Sequence, residues 1–253
     1  MVKLLKFPFS FLIMLFLFLI TGSSCKRLSC GEGERVEWSA SLPSFRYVVI
    51  GPNVQTEIIP STENRMRVNA MRRMLDWDGW HVSGDTLYLY LSRSCMWYEE
   101  ATKVKVRLMT DSIKYIRNAS EWTVSTRGFI HTDTLTLVSE GGFSKKYLNT
   151  GDFRIKLVAN RLTVISNGYS LFRIQGYVHT SFVGFYGGLC RMEAKDLLAE
   201  DVFVFHRSAN DVFIRARNRV RGKLLSTGNL YIYGSPRVVE VEQHYTGRVI
   251  LKE

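Results

Sequence analysis

From residue 151 onward, a turn bearing Gly or Asn precedes a short apolar strand again and again, at intervals close to twenty residues. Gly151-Asp152 leads into residues 153–157, Asn167-Gly168 into 169–174 and Gly187-Gly188 into 189–192. Asn210-Asp211 then leads into 212–214, and Gly228-Asn229 into 230–233. With Gly151, Gly168, Gly188, Asn210 and Gly228 as markers, the steps are 17, 20, 22 and 18 residues. A second short strand fits inside most of these intervals, at 161–165, 181–186 and 202–205. Two strands per repeat of this length suit a solenoid, in which each rung hydrogen-bonds to its neighbours and inward residues of successive rungs share one core. Gly, Asn and Asp at the corners fit their tolerance of positive φ. An antiparallel sandwich places its turns roughly every 8–12 residues, and the spacing by itself leaves both folds open.

Upstream the pattern is less regular. Residues 25–40 read as a flexible tether, with Gly31-Glu32-Gly33-Glu34 polar throughout. Strand-like runs follow at 45–50, closed by Gly51-Pro52-Asn53, and at 54–59, closed by Pro60. Residues 65–69 alternate as a strand does, and 69–75 suit one helical turn with Met71, Met74 and Leu75 on one side. Ser83-Gly84-Asp85 separates residues 80–82 from 86–91, the pattern of a hairpin. Residues 103–109 alternate Val and Leu with Lys and Arg, a strand with one wet face.

The N-terminus fixes the compartment expected for the chain. Lys3 and Lys6 precede an unbroken apolar run at 11–20, and Thr21-Gly22-Ser23-Ser24 leads into Cys25. This is the order of a secretory signal, and a cysteine directly after the small residues is what a bacterial lipoprotein signal needs for acylation. Residues 1–24 are therefore read as a signal peptide and Cys25 as the lipidation site, anchoring the chain in an outer membrane with either face possible. Removing residues 1–24 deletes two lysines and no acid, so the formal charge falls from +11 to +9. Outside the cytoplasm a positive surface meets lipid headgroups, lipopolysaccharide and acidic glycans rather than nucleic acid. With Cys25 acylated, Cys30, Cys95 and Cys190 remain, an odd set that allows at most one intrachain disulfide.

The tail carries a resemblance. Ser226-Thr227-Gly228-Asn229-Leu230-Tyr231-Ile232-Tyr233-Gly234-Ser235-Pro236-Arg237-Val238 resembles the closing strands of the auto-transporter adhesin head, or head-GIN, family of bacterial envelope proteins. Met192-Glu193-Ala194-Lys195-Asp196-Leu197 and Val202-Phe203-Val204-Phe205 resemble its penultimate rungs. Val48-Val49-Ile50-Gly51-Pro52-Asn53-Val54 resembles its first hairpin, and Gly84-Asp85-Thr86-Leu87 an early strand. The likeness spans most of residues 41–253. The chain departs from the family's Ser-Gly-Ser-Gly-Asp corners, which here read Asn167-Gly168-Tyr169, Ala209-Asn210-Asp211 and Gly228-Asn229-Leu230. The resemblance implies an all-β, single-domain β-solenoid (right-handed β-helix-like) over 41–253 and adhesion as the activity, with no catalytic or ligand motif to carry over.

Residues with chemistry are few. His81, His131, His179, His206 and His244 are dispersed without metal-ligand spacing, and neither a Gly-x-Ser-x-Gly elbow nor a phosphate-binding Gly-Lys-Ser/Thr loop is present. Asn118-Ala119-Ser120 matches an N-glycan sequon. Trp77 and Trp80, within Asp76-Trp77-Asp78-Gly79-Trp80-His81, and Trp97 are candidate contacts for sugar rings, because aromatic faces stack on them. The expectation is a non-catalytic envelope lipoprotein without metal or cofactor, contacting a glycan or an envelope protein. A periplasm-facing structural component is the alternative, since Lys26-Arg27-Leu28-Ser29 lacks the early acidic cluster that directs some lipoproteins to the surface.

Overall fold

The computed structural model describes residues 34–72, 79–91, 103–141 and 148–252. Cys25, Cys30, Trp77, Cys95 and Trp97 lie outside the described residues. The described residues are all-β, with 17 strands in one curled sheet and no α-helix. In chain order these are β1 (Arg35–Ser41), β2 (Tyr47–Ile50), β3 (Val54–Ile59), β4 (Arg65–Met71), β5 (Trp80–Ser83) and β6 (Thr86–Leu89). Next come β7 (Val104–Met109), β8 (Tyr115–Asn118), β9 (Val124–Thr126), β10 (Ile130–Ser139), β11 (Phe153–Ser166) and β12 (Leu171–Phe185). The last five are β13 (Arg191–His206), β14 (Val212–Leu224), β15 (Leu230–Tyr233), β16 (Val238–Gln243) and β17 (Val249–Lys252).

Strand pairing is parallel except at β1–β4, β4–β7 and the β5–β6 hairpin. Each long strand serves two rows. The first part of β11 pairs with β9 and its second part with β10. The first part of β14 likewise pairs with β15 and its second part with β16. One row thus runs β6, β2, β8, β10 and on through the second parts of β11–β14 to β16. The other runs β7, β3, β9 and the first parts of β11–β14 to β15 and β17. The antiparallel β1–β4–β7 and β5–β6 pairs lie at the N-terminal end of these rows.

In-register pairing converts the alternation of each strand into continuous inward columns. Leu87, Val48, Ile116, Leu137, Val164, Val183 and Val204 are register neighbours in turn, and all are fully buried. In the other row Phe153 and Phe172 stack with ring centroids 4.8 Å apart, and Phe172 meets Phe185 of the first row at 5.7 Å. Each such side chain adds roughly 1.5–3 kcal/mol relative to exposure.

The turn side of the stack is polar yet buried. Ser139 Oγ and Ser170 Oγ are 2.6 Å apart, Ser166 Oγ donates to Ser139 O, and Ser208 Oγ donates to Cys190 O. Cys190 is a buried free thiol donating to Ser166 Oγ, and burial pushes its pKa up. Asn118 donates to Trp122 O and Asp152 O and accepts from the Ser120 N–H, so the sequon asparagine is a buried corner clamp. These bonds satisfy groups whose burial unpaired would be costly.

Three sequence expectations change. The tether over 25–40 ends earlier, because β1 begins at Arg35 and pairs with β4. Val36, Trp38 and Ala40 alternate with the exposed Glu37, Ser39 and Ser41, a period of two hidden among polar residues. The helical turn over 69–75 fails at its start, since β4 continues to Met71 between β1 and β7, and residues 73–78 lie outside the described residues. The corner glycines also have a different cause. Of the five markers only Gly188 has positive φ, at 75°. At Gly168 and Gly228 a Cβ would strike the carbonyls of Asn149 and Asn210 on the preceding rung, so close stacking excludes a side chain.

Two predictions follow from these corners and columns. Gly188→Ala combines left-handed backbone with a collision against Gly168 O, and should lower urea-measured stability by about 2 kcal/mol or more. Gly187→Ala next to it meets open space and should change stability by no more than about 0.5 kcal/mol. His206 is fully buried, in register with Phe185 and Leu224 and without a well-formed hydrogen bond at either ring nitrogen. Burial lowers its pKa from 6.5 to about 4, only partly offset by the Asn210 backbone and the Asp211 carboxylate. With the folded pKa depressed, the unfolded chain binds the proton first. Stability should therefore be full above pH 6.5 and fall by about 3 kcal/mol in all as pH drops toward 4. Unfolding of His206→Gln should lack this slope.

Candidate binding surfaces

The outward positions of the stack are set by the same register as the core. Along the β10–β16 row they read Thr136, Thr163, Phe182, Phe203, Arg221 and Glu240 in one line. A second line reads Val138, Ile165, Gly184, Phe205, Lys223 and Glu242. The middle of both lines is aromatic. Phe182 and Phe203 stack at 5.6 Å with planes 7° apart, and Phe205 meets Tyr186 at 5.1 Å. Phe203 is 43% exposed and Tyr186 45% exposed. Gly184 lies beneath them, and a Cβ there would come within 2.7 Å of the Phe182 ring and 3.0 Å of Tyr186. The missing side chain lets the rings lie over the sheet.

Beyond this patch the line turns to paired charge. Arg221 bonds Glu240 at 2.8 Å and Lys223 bonds Glu242 at 3.1 Å. An aromatic cluster rimmed by polar groups has the composition of a contact surface. The other row carries more charge outside, at Lys105, Arg107, Glu57, Arg154, Lys156, Arg173 and Glu193, and there Phe213 and Tyr231 stack at 4.6 Å with the Arg191 guanidinium over Phe213. A hollow of about 340 Å³ on this row holds both its carboxylates in ion pairs: Arg107 lies 3.5 Å from Glu37 and 3.7 Å from Glu57.

Of the sequence candidates, Trp80 is described; it opens β5 opposite Leu89 and packs half-buried against the core. Trp77, Trp97 and Cys25 lie outside the described residues. His81 stacks on Tyr88 at 4.8 Å, and His244 pairs with Glu242. Among the described residues no three His, Cys, Asp or Glu side chains group as metal ligands would. The Phe182–Phe203–Phe205–Tyr186 patch escaped sequence reading because aromatic residues alternating along a strand read equally well as core. Which phase of the alternation faces outward is fixed by neighbouring rungs.

No curated protein matches the chain. Solved structures share its fold at low identity. A putative adhesin from Bacteroides fragilis is 17% identical with a TM-score of 0.77, over 87% of this chain and 98% of that one. A putative lipid binding protein from Parabacteroides distasonis is 11% identical with a TM-score of 0.60, over 88% and 98%. A putative adhesin from Parabacteroides merdae is 12% identical with a TM-score of 0.54, over the same shares. Residues 44–236 match the family model described as "Putative auto-transporter adhesin, head GIN domain". Its span takes in β2 and β3, which turn from one row to the other where a first hairpin was expected, the long paired strands and the Gly-Ser-Pro turn of the tail, and the chain belongs to that family.

Proposed function

We propose that this chain is a non-catalytic contact protein of the bacterial cell envelope, acting as an adhesin does. In this reading residues 1–24 are removed and Cys25 carries the acyl anchor in the outer membrane. The domain beyond is a β-solenoid, right-handed and β-helix-like, that presents its outer rows to a glycan or an envelope protein. The observation that carries the reading is the aromatic patch of the exposed Phe203 and Tyr186 and the half-buried Phe182 and Phe205, on and beside the paired strands β12 and β13. Membership of an adhesin-head family and the parallel register at steps of 19 residues (Phe153↔Phe172) support it. Rigid aromatic groups lose little conformational freedom on contact and dominate interface energetics. Trp77 and Trp97 would extend such a surface if exposed, whereas Trp80 is already engaged with the core.

A periplasm-facing structural role is the second reading, favoured by the basic Lys26-Arg27 that follows Cys25 where an acidic export signal would stand. The two differ in what the aromatic patch does. Retention of the purified protein on mucin-coated beads and on intact bacterial cells should fall at least tenfold in Phe203→Ser/Phe205→Ser, one tenfold step being about 1.4 kcal/mol. Unfolding stability of that variant should fall by no more than about 2 kcal/mol, since Phe203 is exposed and Phe205 only half-buried. Unchanged retention would remove the patch from the function and favour the periplasmic reading.

A further inference from the structure

A second outward feature is independent of the aromatic patch. In β13 the pairing with β14 jumps from Ala194↔Ile214 to Leu198↔Arg215, leaving residues 195–197 without partners on that side. The pairing of β12 with β13 shifts at the same place, from Arg173↔Glu193 to Gly176↔Leu197. This is a bulge, and it breaks the in–out alternation: Leu197 stays buried while Lys195 and Asp196 are both exposed. Arg215 Nε holds the bulge by donating to Lys195 O at 2.7 Å. Beside it lies a groove of about 270 Å³, lined by Arg154, Lys156, Arg173, Gln175, Lys195 and Asp196, among others.

The charges of this groove do not balance. Arg154 and Arg173 are direct register neighbours on parallel strands, an arrangement that repels. Arg173 is compensated by Glu193 at 3.0 Å, but the second oxygen of Glu193 is taken by Arg191, also at 3.0 Å. Glu193 is thus shared by two guanidiniums, and no ion pair joins it to Arg154. Partial burial raises the Glu193 pKa, yet the bonds from Arg191 and Arg173 outweigh it and hold the carboxyl below its usual range, so it stays an anion. Among the described residues Arg154, Lys156 and Lys195 form no ion pair, and Lys156 is half-buried. In the hollow elsewhere on this row both carboxylates, Glu37 and Glu57, are engaged by Arg107; this one leaves Arg154, Lys156 and Lys195 facing one free carboxylate, Asp196.

We propose that this groove is a subsite for a carboxylated sugar, a uronic-acid residue of an acidic glycan. The sugar carboxylate sits between Arg154, Lys156 and Lys195 and relieves the Arg154–Arg173 repulsion. Asp196 accepts, and Gln175 donates to or accepts from, the ring hydroxyls. A ring bearing several hydroxyls offers Asp196 more donors than an inorganic anion or a phosphate surface does, so the free carboxylate favours a polyol bearing sparse negative charge. The volume is below the roughly 300–1,000 Å³ of sites that enclose a whole drug-sized ligand, which suits one or two rings of a chain lying across the sheet. The identity of the ligand as a glycan rests on the envelope reading above; the charge imbalance does not.

The test is titration of the full-length, detergent-solubilised protein with tetragalacturonate and a glucuronate oligosaccharide, against methyl-esterified tetragalacturonate, inorganic phosphate and phosphatidylglycerol vesicles. At least one uronate should bind, more weakly as salt rises, with no binding of the esterified form. Arg154→Gln/Lys156→Gln should weaken it at least tenfold. Lys105→Gln, which removes a charge from the other hollow, should leave it unchanged. Asp196→Asn should weaken the uronate and leave phosphate no weaker. Failure of both uronates, equal binding of the ester, phosphate binding as tight as uronate, binding to vesicles only, or equal loss in Lys105→Gln would each overturn the assignment. Uronate binding by purified protein is read independently of retention on cells. Loss of one with the other intact therefore separates failure of the groove from failure of the envelope-contact reading.

Discussion

The parallel, in-register hydrogen bonding of β10 to β14 is the constraint from which the rest of the molecule follows. Parallel neighbours repeat the same alternation, so a column such as Leu137, Val164, Val183 and Val204 is apolar along its full length. The stack closes up only if the chain turns without bulk at its corners. Gly168, Gly188 and Gly228 each lie against a carbonyl of the rung before, where a single Cβ would intrude. The buried serines and Asn118 then satisfy the polar backbone that the turns bring inside. Close stacking and polar satisfaction are two sides of one requirement: the corners must be both thin and hydrogen-bonded.

A scaffold of this kind has little concavity of its own, and its surface chemistry is written in lines across the strands. Where the lines are regular, they yield flat patches, and Phe182, Phe203, Phe205 and Tyr186 form one over Gly184. Where the register slips, they yield a hollow, as at Lys195 and Asp196. The two features are opposite in chemistry, one apolar and the other with unbalanced positive charge, and they lie on different rows of the sheet. A protein that meets an extended partner at several points can use both, because linked weak contacts gain from effective concentration.

Much of the architecture was legible in the chain. The repeat markers fell at true corners, residues 54–59 are β3, the hairpin around Gly84 is β5–β6, and 103–109 is the half-wet β7. The tail strings that resembled an adhesin-head family lie within or beside the span that its model matches. Other features could not be read because their causes are non-local. β1 hides its period of two behind Arg35 and Glu37, and only its pairing with β4 makes it a strand. Most corner glycines are explained by a carbonyl from the previous rung, which no local pattern displays. The outward phenylalanines look like core until the register assigns their side, and a bulge of three residues leaves no signature in composition.

The central claim is that this sheet is displayed at the cell envelope and works by contact. Protease shaving of intact cells beside lysed cells, followed with an antibody to the domain, tests it most directly. A Cys25→Ala strain serves as the anchoring control. The account predicts digestion on intact cells and loss of membrane association in the Cys25→Ala strain. Protection of the wild-type domain until lysis, or a Cys25→Ala protein that stays in the membrane fraction, would contradict it.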